Sequence, residues 1–343
     1  MPPDRDSDHL VSLEAVEAAR TRLVGRVHRT PTMTSATAAR WIEAATGVRI
    51  GDDRLYLKPE QLQKTGSFKP RGMVNRIATL SDAAKARGVI TLSAGNAGQA
   101  YAWAGQAAGV AVTVTMPAGA VRSKVDACIG YGARVVLHGV HVGETLAEME
   151  RIRDAEGLEF VHPFDDPAVI AGFGSIGFEL LEDVQDLDVV IAGVGGGGLI
   201  SGVAAALKER RPSVRVYGVE PERSNALSLA IETGEIVRIH PESIADGLGA
   251  PFAGAWTLAM AKHYLDGVIL LDDPTILAGM RFAAERLKQV LEPAGSAALA
   301  AVLAGRIPLR DGERVAVVLS GGNVDVSRLG ELLAAAGTLP GAN

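Results

Sequence analysis

VVIAGVGGGGLISGVAAAL, residues 189–207, runs for 19 residues without a charge, close to the length that crosses a bilayer. It also holds six glycines, four of them consecutive at Gly195, Gly196, Gly197 and Gly198, and glycine is costly inside a helix facing lipid. The stretch therefore reads as strand, glycine loop and helix. Outward from it, short runs rich in Val and Ile alternate with Ala-rich helical patterns. Candidate strands are 54–58, 88–91, 111–116, 134–139, 188–194, 215–220, 267–271 and 314–320. They are apolar on both faces, as strands of a covered parallel sheet are. Helical patterns lie between them, for example at 96–109, 123–132 and 199–212. The alternation predicts an α/β fold built on open, largely parallel sheets.

Composition narrows the function. The chain has 343 residues, 34 basic against 40 acidic, a net charge of −6 and a single cysteine, Cys128. No basic block is present to track a phosphate backbone, so nucleic acid is not expected as a partner. One cysteine cannot close an internal disulfide, which suits a reducing compartment. The N-terminus MPPDRDSDHL lacks the apolar run of a signal peptide. A cytoplasmic protein without membrane attachment is expected. The 40 glycines exceed the average of roughly 7%, but they cluster without the period of a fibrous chain.

In α/β folds, ligands bind where strands end in glycine loops. Residues without Cβ at 195–198 let an anion approach the backbone, and the following helix N-terminus offers free N–H donors. Gly193 to Gly198 also satisfies G-x-G-x-x-G, and Glu220 ends the next strand, where a dinucleotide fold would place a ribose-binding acid. The loop alone leaves an NAD-dependent oxidoreductase open. A second segment discriminates: Glu60-Gln61-Leu62-Gln63-Lys64-Thr65-Gly66-Ser67-Phe68-Lys69-Pro70-Arg71-Gly72. A lone lysine is ordinarily a surface charge. Lys69 instead sits between an aromatic ring and a proline, and a lysine held in a partly desolvated site loses basicity and can form a Schiff base.

This segment, E-x-x-Q-x-T-G-S-F-K-x-R-G, resembles that of the fold-type-II pyridoxal-phosphate enzymes, in the serine/threonine dehydratase and serine racemase group. Ser93-Ala94-Gly95-Asn96, His162-Pro163-Phe164-Asp165-Asp166-Pro167, Gly195 to Gly198 and Ser320-Gly321-Gly322-Asn323 agree in order. The match spans about residues 15 to 330 of the sequence. The resemblance implies a tryptophan-synthase-β-like architecture of two α/β domains, with the cofactor in the cleft between them. The larger would comprise 1–77 and 160–343, and the smaller, inserted one 78–159. It also implies a homodimer.

The same resemblance implies the roles. Lys69 would hold pyridoxal 5′-phosphate through a Schiff base, with Phe68 against the ring and Asn96 on its phenolic oxygen. The N–H groups of Gly195, Gly196, Gly197, Gly198 and Leu199 would cradle the phosphate, and Ser320 would face the pyridine nitrogen. Ser67 and the loop Ser93, Ala94, Gly95, Asn96 and Ala97 would bind the substrate. The expected activity is dehydration of L-3-hydroxy amino acids, L-threonine or L-serine, to a 2-oxo acid and ammonia, with Lys69 removing the Cα proton. Alternatives are a dehydratase for a bulkier substrate of the phenylserine or 3-hydroxyaspartate type, a serine racemase, or a non-catalytic amino-acid sensor.

Departures from the family pattern bear on these alternatives. Ala94 stands where the racemase branch has a proton-transferring serine, which favours elimination. Ala97 and Phe173 replace the usual histidine and glutamine, either as tolerated drift or so that the pocket beside the substrate's β-carbon accepts a larger or more apolar substituent. Glu220 matches one carboxylate of the racemase cation site, but Ala226 occupies the second position, and one carboxylate holds a hard cation poorly; no metal is expected. His138 and His141 read as surface residues, Cys128 as core, and Asp246 and Glu292 as support on the cofactor side.

Overall fold

The computed structural model describes residues 9–339. Its strands are β1 (Met33–Ser35), β2 (Leu55–Pro59), β3 (Val89–Leu92), β4 (Val112–Met116), β5 (Arg134–Leu137), β6 (Glu159–Phe160), β7 (Val189–Gly193), β8 (Arg215–Pro221), β9 (Gly267–Leu271) and β10 (Val315–Leu319). They form two sheets. The larger has the order β1-β2-β10-β7-β8-β9, and the smaller β5-β4-β3-β6. Every pairing is parallel except β1 with β2 at one edge. The eight expected strands all form, within about two residues at their ends; the short β1 and β6 are additional.

Both faces of the larger sheet are covered, as its sequence pattern requires. In β7 and β10, Val190, Ala192, Ala316 and Val318 face a core shared with the helices Leu13–Leu23, Pro167–Asp183 and Gly198–Arg210. Their neighbours Val189, Ile191, Val315, Val317 and Leu319 face the helices Ala36–Thr46, Asp273–Phe282 and Pro293–Leu303. This is the period-2 alternation of a strand, here apolar on both sides because helices cover each face. Among the described residues no helix is long and apolar enough to cross a membrane.

A buried ionic cluster ties the start of the Lys69–Thr79 helix to its surroundings. Arg71 pairs with Glu60 at 2.8 Å and Glu179 at 2.7 Å, and Lys58 pairs with Glu179 at 2.7 Å. Thr30 donates to Glu60, while Ser175 accepts from Arg71. The charges balance, which is what lets four ionised groups sit in a core.

Candidate active site

Parallel strands bring their C-terminal ends to one edge, so the loops after β3, β7 and β10 converge with the turns that follow β2. Those turns are tight: Thr65 and Gly66 have φ of 59° and 73°. A bridge from Ser67 to Gly321 and hydrogen bonds from Phe68 N–H to Ser320 O and from Gly322 N–H to Gly66 O fasten them to the β10 loop. Lys69 then opens the Lys69–Thr79 helix, with Pro70 in the first turn, where a missing N–H costs no intrahelical bond.

The Lys69 Nζ donates to the Pro163 carbonyl at 3.1 Å. It lies 4.9 Å from the Phe68 ring centre and 5.7 Å from that of Phe173. Burial in these surroundings lowers its pKa to about 8, against a smaller opposing pull from the Glu292 carboxylate. Glu292 is itself buried, and burial pushes its carboxyl up to about 7, with Asp246 adding to the rise and Lys124 opposing it. Lys124 and Asp246 form an ion pair at 2.5 Å.

Asn96 begins the Asn96–Ala108 helix after β3. Its Nδ2 donates to Glu292 Oε1 at 2.6 Å, and its Oδ1 accepts from Asn323 Nδ2 at 2.8 Å. Asn323 also donates to the Thr65 carbonyl at 2.7 Å. Asn323 thus joins the Lys69 loop to the Asn96 loop, a role its place in the Ser320–Asn323 motif did not reveal. Ser93 Oγ accepts from the N–H groups of Gly95 and Gly98, shaping the loop that contains Ala94 and Gly95. Ala97 is buried in the apolar core.

The glycine loop after β7 is closely packed from behind. A Cβ on Gly196 would overlap the Phe164 ring, and one on Gly198 would lie 2.7 Å from the Phe164 carbonyl. Gly197 has φ of 90°, a left-handed conformation that suits glycine. Among the described residues the N–H groups of Gly195, Gly196 and Gly197 meet no backbone acceptor. Those of Gly198 and Leu199 lie in the first turn of the Gly198–Arg210 helix, where no intrahelical acceptor exists. Phe164 is held in turn by His162, whose Nδ1 accepts from the N–H groups of Phe164 and Asp165. Burial drives the His162 pKa down to about 4, keeping that nitrogen an acceptor. Asp166 caps the Pro167–Asp183 helix through the N–H groups of Ala168 and Val169.

These features fit pyridoxal phosphate. A cradle of unpartnered N–H groups suits the phosphate, and a lysine of lowered basicity suits the aldehyde. Among the described residues, buried oxygens of Ser67, Thr65 and Glu292 (Oε2) have no protein partner. Ser320 Oγ is buried, its one contact a long 3.4 Å bond to the Ala294 carbonyl.

Other candidates fall outside this constellation. Glu220 is buried, with its oxygens accepting from the N–H groups of Leu227 and Ser228 and the Ser228 hydroxyl, so it caps the Ala226–Thr233 helix. Phe173 is fully buried, its ring edge to face with that of Phe68. Cys128 is buried and its thiol is pushed up to about 12. Among the described residues no group of three or more His, Cys, Asp or Glu could hold a metal ion.

Comparison with known proteins agrees with this geometry. The family model for pyridoxal-phosphate dependent enzymes matches residues 27–321. The L-threonine ammonia-lyase of Thermotoga maritima is 39% identical over 325 residues, covering 94% of this chain and 78% of that protein. The catabolic L-threonine dehydratase TdcB of Escherichia coli K12 is 38% identical, covering 94% of this chain and 96% of that one. The structure of maize serine racemase superposes with a TM-score of 0.86 at 33% identity, covering 94% of this chain and 97% of that one. The chain belongs to the pyridoxal-phosphate dependent enzymes of fold type II, in the serine/threonine dehydratase family.

Proposed function

We propose that this protein is an ammonia-lyase for L-3-hydroxy amino acids, converting L-threonine or L-serine to the 2-oxo acid and ammonia. The observation that carries the reading is the Lys69 amine, held at low basicity in one cluster with Asn96, Glu292 and the glycine cradle. The threonine ammonia-lyase and dehydratase relatives support the substrate class.

The N–H groups of Gly195, Gly196, Gly197, Gly198 and Leu199 would hold the phosphate, Phe68 would pack on the ring, and Ser320 would face the ring nitrogen. Asn96 would hold the phenolic oxygen, oriented by Glu292 and Asn323. When bound, pyridoxal phosphate supplies the electron-accepting ring. Ser67 and the loop Ser93–Ala97 would grip the substrate carboxylate beside the N-terminus of the Asn96–Ala108 helix, where the dipole favours an anion. Lys69 Nζ, whose lowered pKa of about 8 eases its conversion to the neutral amine, would take the Cα proton. The β-hydroxyl leaves as water with a proton that balances the one Lys69 removes from Cα, and water hydrolyses the released enamine to the 2-oxo acid and ammonia. Ala94 carries no exchangeable proton for the opposite face, which supports elimination over racemisation.

Residues 78–159, which take in β3 to β5 and the start of β6, would act as the inserted domain, and 1–77 with 160–343 as the cofactor-binding one. We further place the protein in the cytoplasm as a homodimer. The test is 2-oxo acid release from L-serine, L-threonine, L-threo-3-hydroxyaspartate and L-threo-phenylserine, with Lys69→Ala as the control. Turnover of threonine or serine that Lys69→Ala loses is expected. Turnover surviving in Lys69→Ala, or none on any of the four, overturns the reading.

A further inference from the structure

Phe173 takes no part in the chemistry above, yet its seat is built with care. Its ring meets that of Phe68 edge to face, 4.8 Å apart at 64°. A Cβ on Gly72 would sit 2.6 Å from the Phe173 ring, and one on Gly202 would sit 3.1 Å from the Phe173 Cβ. Two glycines on neighbouring helices thus admit one large apolar side chain directly behind the cleft. Lys69 Nζ is within 6 Å of both ring centres, and the Pro163 carbonyl is its hydrogen-bond acceptor.

We propose that Phe173 is a positioning residue for Lys69, closing with Phe68 an apolar wall that keeps water from the ε-amine, leaves it the Pro163 carbonyl as acceptor, and so sets the pH at which it becomes a base. The proposal rests on the assignment of Lys69 as that base. The ring faces themselves attract an ammonium, while exclusion of water disfavours it. Burial brings the amine from the ordinary 10.5 down to about 8, with Glu292 opposing it. The charged groups facing the amine are few. Glu292 raises its basicity, and His162 would lower it if protonated but is held neutral. Asp246 and Lys124 bear on Glu292 and so reach Lys69 through it.

The experiment uses the full chain freed of cofactor, in wild-type, Phe173→Leu and Phe173→Gln forms. Lysines are reductively methylated at stepped pH, and labelling of Lys69 is followed by peptide mass spectrometry. Wild type and Phe173→Leu should reach half-maximal labelling near the same pH. Phe173→Gln, which brings an amide beside the amine, should move it up by about one unit, a roughly tenfold slower labelling at neutral pH. If Phe173→Gln does not fold, Phe173→Tyr brings a hydroxyl on the same ring and decides. An unshifted polar variant overturns the proposal. So does an equal shift in Phe173→Leu, which would mark a packing effect alone. Because labelling needs no turnover, a failed substrate panel leaves this result readable.

Discussion

Asn96 and Glu292, 196 residues apart, meet at 2.6 Å, one from the loop after β3 in the smaller sheet and the other from the helix start packed on the larger. The bond couples the loop expected to hold substrate to a buried carboxyl beside Lys69. That carboxyl titrates near about 7 and, when charged, raises the basicity of Lys69. Wild-type kcat/KM should therefore show an inflection near pH 7. In Glu292→Gln that inflection should disappear, and the limb belonging to the freed Lys69 amine, read in kcat, should move to lower pH because the attracting charge is gone. A pH profile from about 5.5 to 9.5 checks both.

Gly196 leaves no room for a side chain against Phe164. Gly196→Ala must push the ring and the loop apart, at a cost of about 1–3 kcal/mol for overpacking, and must displace the N–H groups of the cradle. We expect at least roughly tenfold weaker cofactor binding, measured by absorbance titration, together with a lowered unfolding midpoint.

His162 holds its strap only while Nδ1 is an acceptor. In the unfolded chain its imidazole takes a proton near 6.5, whereas the folded protein resists until about 4. The unfolded state binds more protons between those values, so this residue's share of stability is present above 6.5 and is lost as pH falls towards 4. His162→Asn keeps an acceptor without that titration. Its Tm should fall less between pH 7 and about pH 4.5 than that of wild type, as read by thermal scans.

Glu179 neutralises two buried cations, Arg71 and Lys58. Glu179→Ala leaves them short of a partner and should cost about 3–5 kcal/mol. Breaking the exposed pair of Arg328 and Glu331 in Glu331→Ala should leave stability nearly unchanged by comparison. Urea denaturation of the two variants makes the comparison.

The sequence reading located Lys69 and the four glycines because their chemistry is local: a lysine in a constrained turn, and a loop whose backbone must lie bare. It missed β1 and β6, which are three and two residues long and too short to display a period. It could not pair Asn96 with Glu292 or Asn323, since contacts across about two hundred residues leave no spacing to read. Phe173 shows a different difficulty. Its side chain suggests an apolar pocket wall, but only the packing of Phe68 in front of it reveals that the ring backs the lysine. Glu220 matched the place of a ribose-binding acid and of one carboxylate in a cation site, and the helix start beside it explains where its oxygens point.

The place of β10 between β2 and β7 imposes an order on how the molecule is made. The smaller sheet draws all its strands from residues 89–160, so it can close while the ribosome is still translating the rest. The larger sheet cannot: β2 and β7 have no common neighbour until Val315–Leu319 has emerged. Ser320 and the fastening of the Lys69 turn arrive with that strand. A nascent chain halted short of that strand could have closed the smaller sheet, while the turn that carries Lys69 and the Asn96 side chain would still lack the partners that Ser320, Gly322 and Asn323 bring.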